Sequence, residues 1–151
     1  MYSTDRRTFF RAAGAAALAA SLAGCAGNGN DGEDDYVDEE PDYGGYLDDV
    51  PNYDRTVDAT DQGEVRIDVG AGDGLQFEPP AVQISTGTRV VWEWTGEGGD
   101  HNVVEEDGAF ESETTAAAGH EFSHTFEETG TYLYVCTPHE AVGMKGAVTV
   151  V

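Results

Sequence analysis

Glu-Val-Arg-Ile-Asp-Val, residues 64–69, alternates the apolar side chains of Val65, Ile67 and Val69 with charged ones. A period of two places the apolar residues on one face of an extended chain, which is typical of a half-buried β-strand. Further short runs with strand character follow at residues 82–84, 88–94, 101–105, 121–126, 131–136 and 147–151. The pattern predicts a folded domain of β-strands over residues 63–151.

Glycine and proline separate these runs, and no stretch of the domain has the 3.6-residue period of an amphipathic helix. Turn residues occur at 70–74, 79–80, 86–87, 96–99, 119, 130 and 143. Many short strands divided by such turns predict an all-β fold, either an antiparallel β-sandwich or a small barrel. The large side chains available for its core are aromatic: Phe77, Trp92, Trp94, Phe110, Phe122, Phe126, Tyr132 and Tyr134.

The charge of the chain is strongly unbalanced, with 30 Asp and Glu against 7 Lys and Arg in 151 residues and a net charge of −23. Nucleic acid is excluded as a partner because phosphate binding needs clustered cations. Direct adsorption to an anionic bilayer is disfavoured because charges of the same sign repel. Such a surface suits a protein that works at high salt, where repulsion between carboxylates is screened. We therefore interpret the composition as that of a halophilic protein.

Residues 1–24 predict an export signal. Arg6 and Arg7 precede Phe9 and Phe10, and a weakly apolar, Ala-rich run follows at 12–24. A basic segment before a short apolar run is typical of secretory signals, whereas a membrane-spanning helix needs about 20 apolar residues. The Arg pair resembles a twin-arginine signal, which exports proteins that have already folded.

Cys25 ends this run in the stretch Leu22-Ala23-Gly24-Cys25, which resembles a lipobox. In that interpretation Cys25 carries a lipid, and the exported protein is anchored to the outer face of the cell membrane. The alternative is an ordinary cleavage site with an incidental Cys. In that case the two Cys of the chain are candidates for a disulfide.

Residues 25–62 contain 13 Asp and Glu, one Arg and two Pro. Low hydrophobicity together with a high net charge predicts a disordered, self-repelling tether between the lipidated Cys and the domain. Four tyrosines recur in this segment: Tyr36, Tyr43, Tyr46 and Tyr53. They belong either to a solvated spacer or to a patch that binds a partner.

A second informative stretch reads Tyr-Leu-Tyr-Val-Cys-Thr-Pro-His-Glu-Ala-Val-Gly-Met-Lys-Gly, residues 132–146. It places Cys136 at a predicted strand end, His139 three residues later and Met144 five residues after that. His101 opens an earlier predicted strand, after a Gly-rich loop. Chance placement at these offsets is rare, because the chain has two Cys, four His and two Met, one of them the initiator.

A thiolate, two imidazoles and a thioether form a soft donor set that suits copper, as a trigonal His₂Cys site with a weak axial Met. Thiolate and thioether stabilise Cu(I), and imidazole suits both oxidation states. Mg²⁺ and Ca²⁺ prefer oxygen ligands. Zn²⁺ is accepted by the same residues, but a site without an open position gives it no catalytic role. We therefore predict one copper ion.

The domain resembles the cupredoxins, and among them the plastocyanin-like halocyanins, membrane-attached blue copper proteins of halophilic archaea. The resemblance covers nearly the whole folded part and rests on residues 77–79, 87–92, 100–104 and 134–146. It implies a Greek-key β-sandwich that works as a one-electron carrier. It also implies redox partner proteins in a membrane electron-transport chain, and we expect a monomer.

The same resemblance implies roles for individual residues. His101, Cys136, His139 and Met144 correspond to the copper ligands of the family, with His139 as the exposed ligand through which electrons pass. Asn102 corresponds to the residue outside the ligand set that ties the two ligand loops together. Val135 departs from the family, because plastocyanins usually carry an aromatic residue before the Cys, so an electron route through this position is not carried over.

Two other functions compete with that of an electron carrier. Multicopper oxidases place a His on each side of the thiolate, and reductases need an open metal position, whereas Val135 and Thr137 flank Cys136 here. A copper storage or delivery protein favours exchangeable ligands over a closed set of four. We therefore expect a carrier and not an enzyme, with storage or delivery of copper as the alternative.

Two further histidines, His120 and His124, lie at the predicted strand 121–126. His124 shares its strand face with Phe122 and Phe126, because residues two apart point the same way. We interpret both histidines as packed or surface residues, and a second metal site is the alternative.

Overall fold

The structure, a computed structural model, describes residues 35–151, and the regular elements of this part are almost all β-strands. The strands are β1 Val57–Asp58, β2 Glu64–Ala71, β3 Gln76–Glu78, β4 Ala81–Ile84, β5 Arg89–Trp94, β6 Val104–Glu105, β7 Glu121–Thr125, β8 Gly130–Val135 and β9 Lys145–Val150. A 3₁₀ segment, Thr137–Val142, lies between β8 and β9 and is kinked at His139. Residues 35–151 form one structural unit.

The strands form two sheets, in the orders β1-β4-β9-β8-β6 and β3-β2-β5-β7. This confirms the predicted all-β Greek-key sandwich. The expectation of purely antiparallel pairing is wrong, because β1 with β4, β2 with β5 and β4 with β9 pair in parallel. Alternation along a strand reports which face is buried and carries no information about the direction of its neighbour.

The core lies between the sheets and is built by the residues that alternate inward. In β2 the side chains of Val65, Ile67 and Val69 are buried, and Ile67 and Val69 pair with Trp92 and Trp94 of β5. Burying apolar surface between two sheets is the main favourable term in such a fold. The largest buried side chains are Trp92, Trp94, Tyr134, Phe77 and Phe126.

Each cation of the sandwich contacts a carboxylate. Arg66 Nη1 lies 3.0 Å from Glu93 Oε1 and 3.2 Å from Glu121 Oε2, and Arg89 Nη1 lies 3.1 Å from Glu64 Oε1. These pairs are half-exposed, so each adds little to the free energy of unfolding. They relieve repulsion on a sheet face that otherwise carries carboxylates.

The predicted disordered tether over residues 25–62 differs from the structure for residues 35–62. Tyr43, Leu47 and Val50 are buried there, and they pack with Ala81 of β4 and Ala147 of β9. The segment also contributes β1, and Tyr36 forms an isolated bridge with Val57. Average composition hides these few apolar side chains, and their burial offsets the entropy of ordering the segment.

Several strand ends differ from the sequence prediction by one or two residues, and one difference concerns the site. His101 precedes β6 and forms an isolated bridge with Thr115, so it lies in a loop connection and does not open a strand. Residues 35–151 contain no helix long and apolar enough to cross a membrane. The predicted export signal, with Arg6 and Arg7, and the predicted lipid site at Cys25 lie outside the described residues.

Candidate metal centre

Three predicted ligands converge at one end of the sandwich. The nearest ligand atoms of His101, Cys136 and His139 all lie within 4.8 Å of one another. The Cys136 Sγ atom is 3.7 Å from His101 Nδ1 and 3.5 Å from His139 Nδ1, and the two imidazole rings have centroids 4.9 Å apart. Two nitrogen atoms therefore face one sulfur atom across a small gap.

The ring of His101 is held by backbone rather than by side chains. Its Nε2 atom lies 2.7 Å from the Glu97 carbonyl oxygen, which accepts a hydrogen bond from Nε2–H. In a neutral imidazole this contact selects the tautomer in which Nδ1, the atom that faces Cys136, is available to bind a metal. A Cβ added at Gly70 or Gly98 would lie 3.1 or 3.0 Å from Nε2, so the ring fits only against glycine.

The backbone beneath His101 is also fixed. Its N–H and carbonyl oxygen exchange hydrogen bonds with Thr115 at 2.9 and 3.1 Å. The Trp94 Nε1–H group donates to the Thr115 carbonyl oxygen at 2.9 Å and lies 3.2 Å from that of His101. The sequence predicts Trp94 as a core residue but does not predict this contact, because every residue has a backbone carbonyl group and the sequence does not show which one accepts.

The other ligands share one loop that follows β8. The Cys136 N–H group donates to the Met144 carbonyl oxygen at 3.0 Å, and the His139 N–H group donates to the Cys136 carbonyl oxygen at 3.0 Å. The Met144 N–H group donates to the His139 carbonyl oxygen at 3.3 Å. These bonds close the loop on itself and bring Met144, which is fully buried, beside Cys136 in the chain fold.

Asn102 connects the two ligand segments. Its Oδ1 atom accepts a hydrogen bond from the Thr137 N–H group at 2.8 Å, across 35 positions in the chain. Asn102 follows His101 and Thr137 follows Cys136, so one side chain joins the two segments next to their ligands. A bond of this kind sets the separation of ligands that lie on different elements.

The electrostatics of the site suit a bound cation. Burial raises the pKa of the Cys136 thiol, although the backbone N–H groups of Asn102 and His139 lower it in part. Burial lowers the pKa of His139, and the nearby His101 lowers it further. Both shifts favour neutral side chains in the absence of metal, and a metal ion supplies the positive charge that a buried thiolate needs.

The donor atoms fit a metal ion of the expected kind. Bonds of about 2.0 Å to imidazole nitrogen and about 2.3 Å to thiolate sulfur, as in Zn²⁺ sites, separate two ligand atoms by about 3.5–3.7 Å at tetrahedral to trigonal angles. The two measured nitrogen–sulfur distances, 3.5 and 3.7 Å, lie in this range. Two imidazoles, a thiolate and a buried thioether select copper among the biological metals.

The remaining histidines stay apart from this centre. His120 lies 3.5 Å from a Glu113 carboxylate oxygen and packs edge-on against Trp94. His124 packs against Phe110 and Phe126, and burial lowers its pKa. Within residues 35–151, the group of His, Cys, Asp and Glu side chains placed to hold a metal is the one at Cys136.

Comparison with known proteins defines the class. The family of copper binding proteins described as plastocyanin/azurin matches residues 63–151, and the chain belongs to this family. The chain is 45% identical over 162 residues to the halocyanin of Natronomonas pharaonis, across 99% of each protein. It is 37% identical over 98 residues to the plastocyanin of Scenedesmus fuscus, across 58% of this chain and 99% of that one.

A solved structure agrees with this assignment. The Cu(I) form of an amicyanin variant aligns with a TM-score of 0.50 and 29% identity, over 60% of this chain and 84% of that one. The protein is a blue copper electron carrier with one copper ion held by His101, Cys136, His139 and Met144. When bound, the copper supplies a one-electron couple between Cu(I) and Cu(II).

Proposed function

We propose that this carrier works at the outer face of the cell membrane, anchored through a lipid on Cys25, and that electrons pass through the edge of His139. The electron port is inferred from a difference in solvent exposure among the four ligands. His101, Cys136 and Met144 are fully buried, whereas His139 is partly exposed and lies in the kink of the 3₁₀ segment. Of the four ligands, His139 thus offers the shortest route to a partner at the surface.

The surface beside His139 suits brief contact with such a partner. Ala141 and Val142 are exposed, and Val142 has 52% of its surface accessible to solvent. A partner that covers these side chains removes apolar surface from water, which favours contact at this place. Transient redox encounters are small, so a weak apolar contact favours rapid release. At high salt, electrostatic steering of the partner by the distant acidic surface is screened. Recognition then depends on the contact with Ala141 and Val142.

The chemistry of the ligand set supports a carrier over an enzyme or a storage protein. Three ligands are buried, and the fourth, His139, lies in a loop that is closed by its own hydrogen bonds. A substrate would therefore have to displace a ligand to reach the metal. A closed site also exchanges its ion slowly. We expect the copper-loaded protein to survive many cycles of reduction and reoxidation with its copper retained. Rapid transfer of Cu(I) to a chelator in each cycle would favour delivery instead.

The membrane anchor rests on the lipobox-like sequence at Cys25. We expect Cys25→Ala to release the protein from cells into the medium, and a membrane-impermeant protease added to intact cells to degrade the wild type. One acyl chain binds membranes only marginally, at about 10⁴ M⁻¹, so stable attachment requires at least two chains on the modified Cys25. A Cys25→Ala protein that still sediments with membranes would refute the anchor and leave the electron port untouched.

A further inference from the structure

A segment ahead of the sandwich touches the ligand loop from outside. We call residues 43–53 the strap. It consists of consecutive tight turns, with hydrogen bonds of 3.1 Å from the N–H groups of residues 46, 48, 50 and 53 to the carbonyl oxygens three positions earlier. Leu47 and Val50 of the strap are buried, at 2% and 6% exposure, against Ala81 and Ala147.

The strap backbone meets the ligand loop at Gly143, directly before Met144. Gly143 has a φ of +83°, and a Cβ added there would overlap the Asp49 carbonyl oxygen and lie 3.4 Å from Pro51 Cδ. Gly143 is buried although residues 140–142 beside it are exposed. Strap backbone and loop backbone are therefore in direct contact, at a place where a side chain has no room.

Side chains extend this contact to both ends of the loop. Lys145, directly after Met144, places Nζ 3.2 Å from Asp49 Oδ1 and 5.0 Å from the centre of the Tyr46 ring. The Tyr46 hydroxyl group donates to the Tyr134 carbonyl oxygen at 3.1 Å, two residues before Cys136, and also contacts Glu106. The strap thus holds the chain before Cys136, at Gly143 and after Met144.

We propose that the strap is a positioning element of the copper site, which braces the loop that carries Cys136, His139 and Met144. The loop needs such support because five of its residues, 137, 138 and 140–142, are exposed and its own closure depends on four backbone hydrogen bonds. A thioether is a weak ligand, so the protein, rather than the metal–sulfur bond, has to fix where Met144 lies. Tyr46 and Asp49 are the residues through which the strap acts on the loop.

Coupling between two sites is reciprocal. If a docked strap favours the ligand geometry, bound copper must favour the docked strap by the same factor. This reciprocity distinguishes two roles for the strap. If the strap only stabilises the fold, copper should protect it no more than it protects the rest of the domain. If the strap positions the ligands, copper should protect it more. The proposal depends on the copper site and is independent of the membrane anchor and of the electron port.

The test uses the full chain loaded with copper. Tyr46→Phe and Asp49→Ala each remove a side-chain contact at an end of the loop. Tyr53→Phe is the matched control, because the Tyr53 hydroxyl group bonds to Glu40 and not to the loop. We expect loss of Cu(I) to a chelator to be about fivefold faster in either loop-contact variant, the equivalent of one ordinary hydrogen bond. The reduction potential of both should shift, and the control should match the wild type.

Hydrogen exchange supplies the reciprocal measurement. Copper loading of the wild type should slow amide exchange in residues 46–53 more than in β2, and Tyr46→Phe should reduce this difference. The proposal is overturned if the loop-contact variants lose copper at the rate of the control while melting at a lower temperature. It is equally overturned if copper leaves strap exchange unchanged relative to β2. Neither measurement requires a redox partner or a membrane.

Discussion

The two regions that supply copper ligands are built in opposite ways. His101 is fully buried, with its ring against Gly70 and Gly98, and its Nε2–H group donates to the Glu97 carbonyl oxygen. The three other ligands share a loop whose outer residues face solvent and which a separate segment, the strap, covers at Gly143. The two sides of the site therefore have different roles: the side of His101, the sandwich side, fixes the geometry, and the side of the ligand loop, the loop side, provides access.

This division suits electron transfer. A site whose ligands keep their places in both oxidation states loses little energy to rearrangement, and a rigid scaffold that presents a functional loop is a common way to combine precision with access. Asn102 connects the two regions, and the strap braces the loop side from outside. Substitutions in the two regions, or at the contacts that join and brace them, should therefore affect the copper site and electron exchange in different ways and to different extents.

The largest effect is expected from the loop side, at the thiolate. Cys136→Ser should abolish the blue colour of the copper-loaded protein, because a hydroxyl group does not reproduce the covalency of a copper–thiolate bond. Visible absorption after addition of one equivalent of copper measures this, with circular dichroism as a check on the fold. A variant that stays intensely blue would show that the colour arises elsewhere.

The next effect concerns the sandwich side. A Cβ added by Gly98→Ala would overlap the Gly74 carbonyl oxygen and lie 3.0 Å from His101 Nε2, so the backbone that packs against the His101 ring must shift. Gly99→Ala is the matched control, because Gly99 has a similar φ of +88° and nothing within 4 Å of the added Cβ. Both carry the left-handed penalty of about 1–2 kcal/mol. We expect only Gly98→Ala to weaken copper binding and alter the spectrum, and equal behaviour of the two would contradict a rigid His101 side.

The sequence predicted the two regions unequally well. Strand alternation and the spacing of Cys136, His139 and Met144 indicated the sandwich and the loop, because both patterns are carried by side chains. The parallel pairings of β2 with β5 and of β4 with β9 join strands far apart in the chain, and no local pattern reports them. The Glu97 carbonyl oxygen and the backbone contact between Asp49 and Gly143 are equally invisible, because every residue has a backbone.

A smaller effect is expected at the side-chain connection between the regions. Asn102→Ala removes the acceptor for the Thr137 N–H group, at 2.8 Å in the wild type, so the two ligand segments lose their link. Loss of such outer contacts typically lowers metal affinity by about 10–100-fold. Copper affinity measured by competition tests this, and Asn102→Asp, which keeps an acceptor oxygen, should recover part of the loss. An alanine variant with wild-type affinity would mean that the regions hold their separation without Asn102.

A still smaller change is expected from the axial position of the loop. Met144→Leu keeps a buried apolar side chain of similar size, so the fold and the bound copper should be retained. Removing a thioether donor disfavours Cu(II), and the reduction potential should rise. Cyclic voltammetry measures the shift. Complete loss of copper in this variant would mean that Met144 holds the loop together, in addition to acting as a weak ligand.

The smallest expected change to the copper site, and the most specific for function, lies on the outer surface of the loop. Val142→Lys puts a charge at a side chain that is 52% exposed beside His139, while the buried ligands stay where they are. The spectrum and potential should therefore be unchanged, and electron exchange with the physiological partner should slow, because the partner must desolvate an ammonium group at the contact. Thr131→Lys makes the same addition of charge at the opposite end of β8, about 15 Å away along the strand. Stopped-flow measurements at high salt, where long-range steering is screened, compare the two variants directly. Slowing in Val142→Lys alone places the electron port on the loop side, whereas equal rates in both variants would move it to another surface.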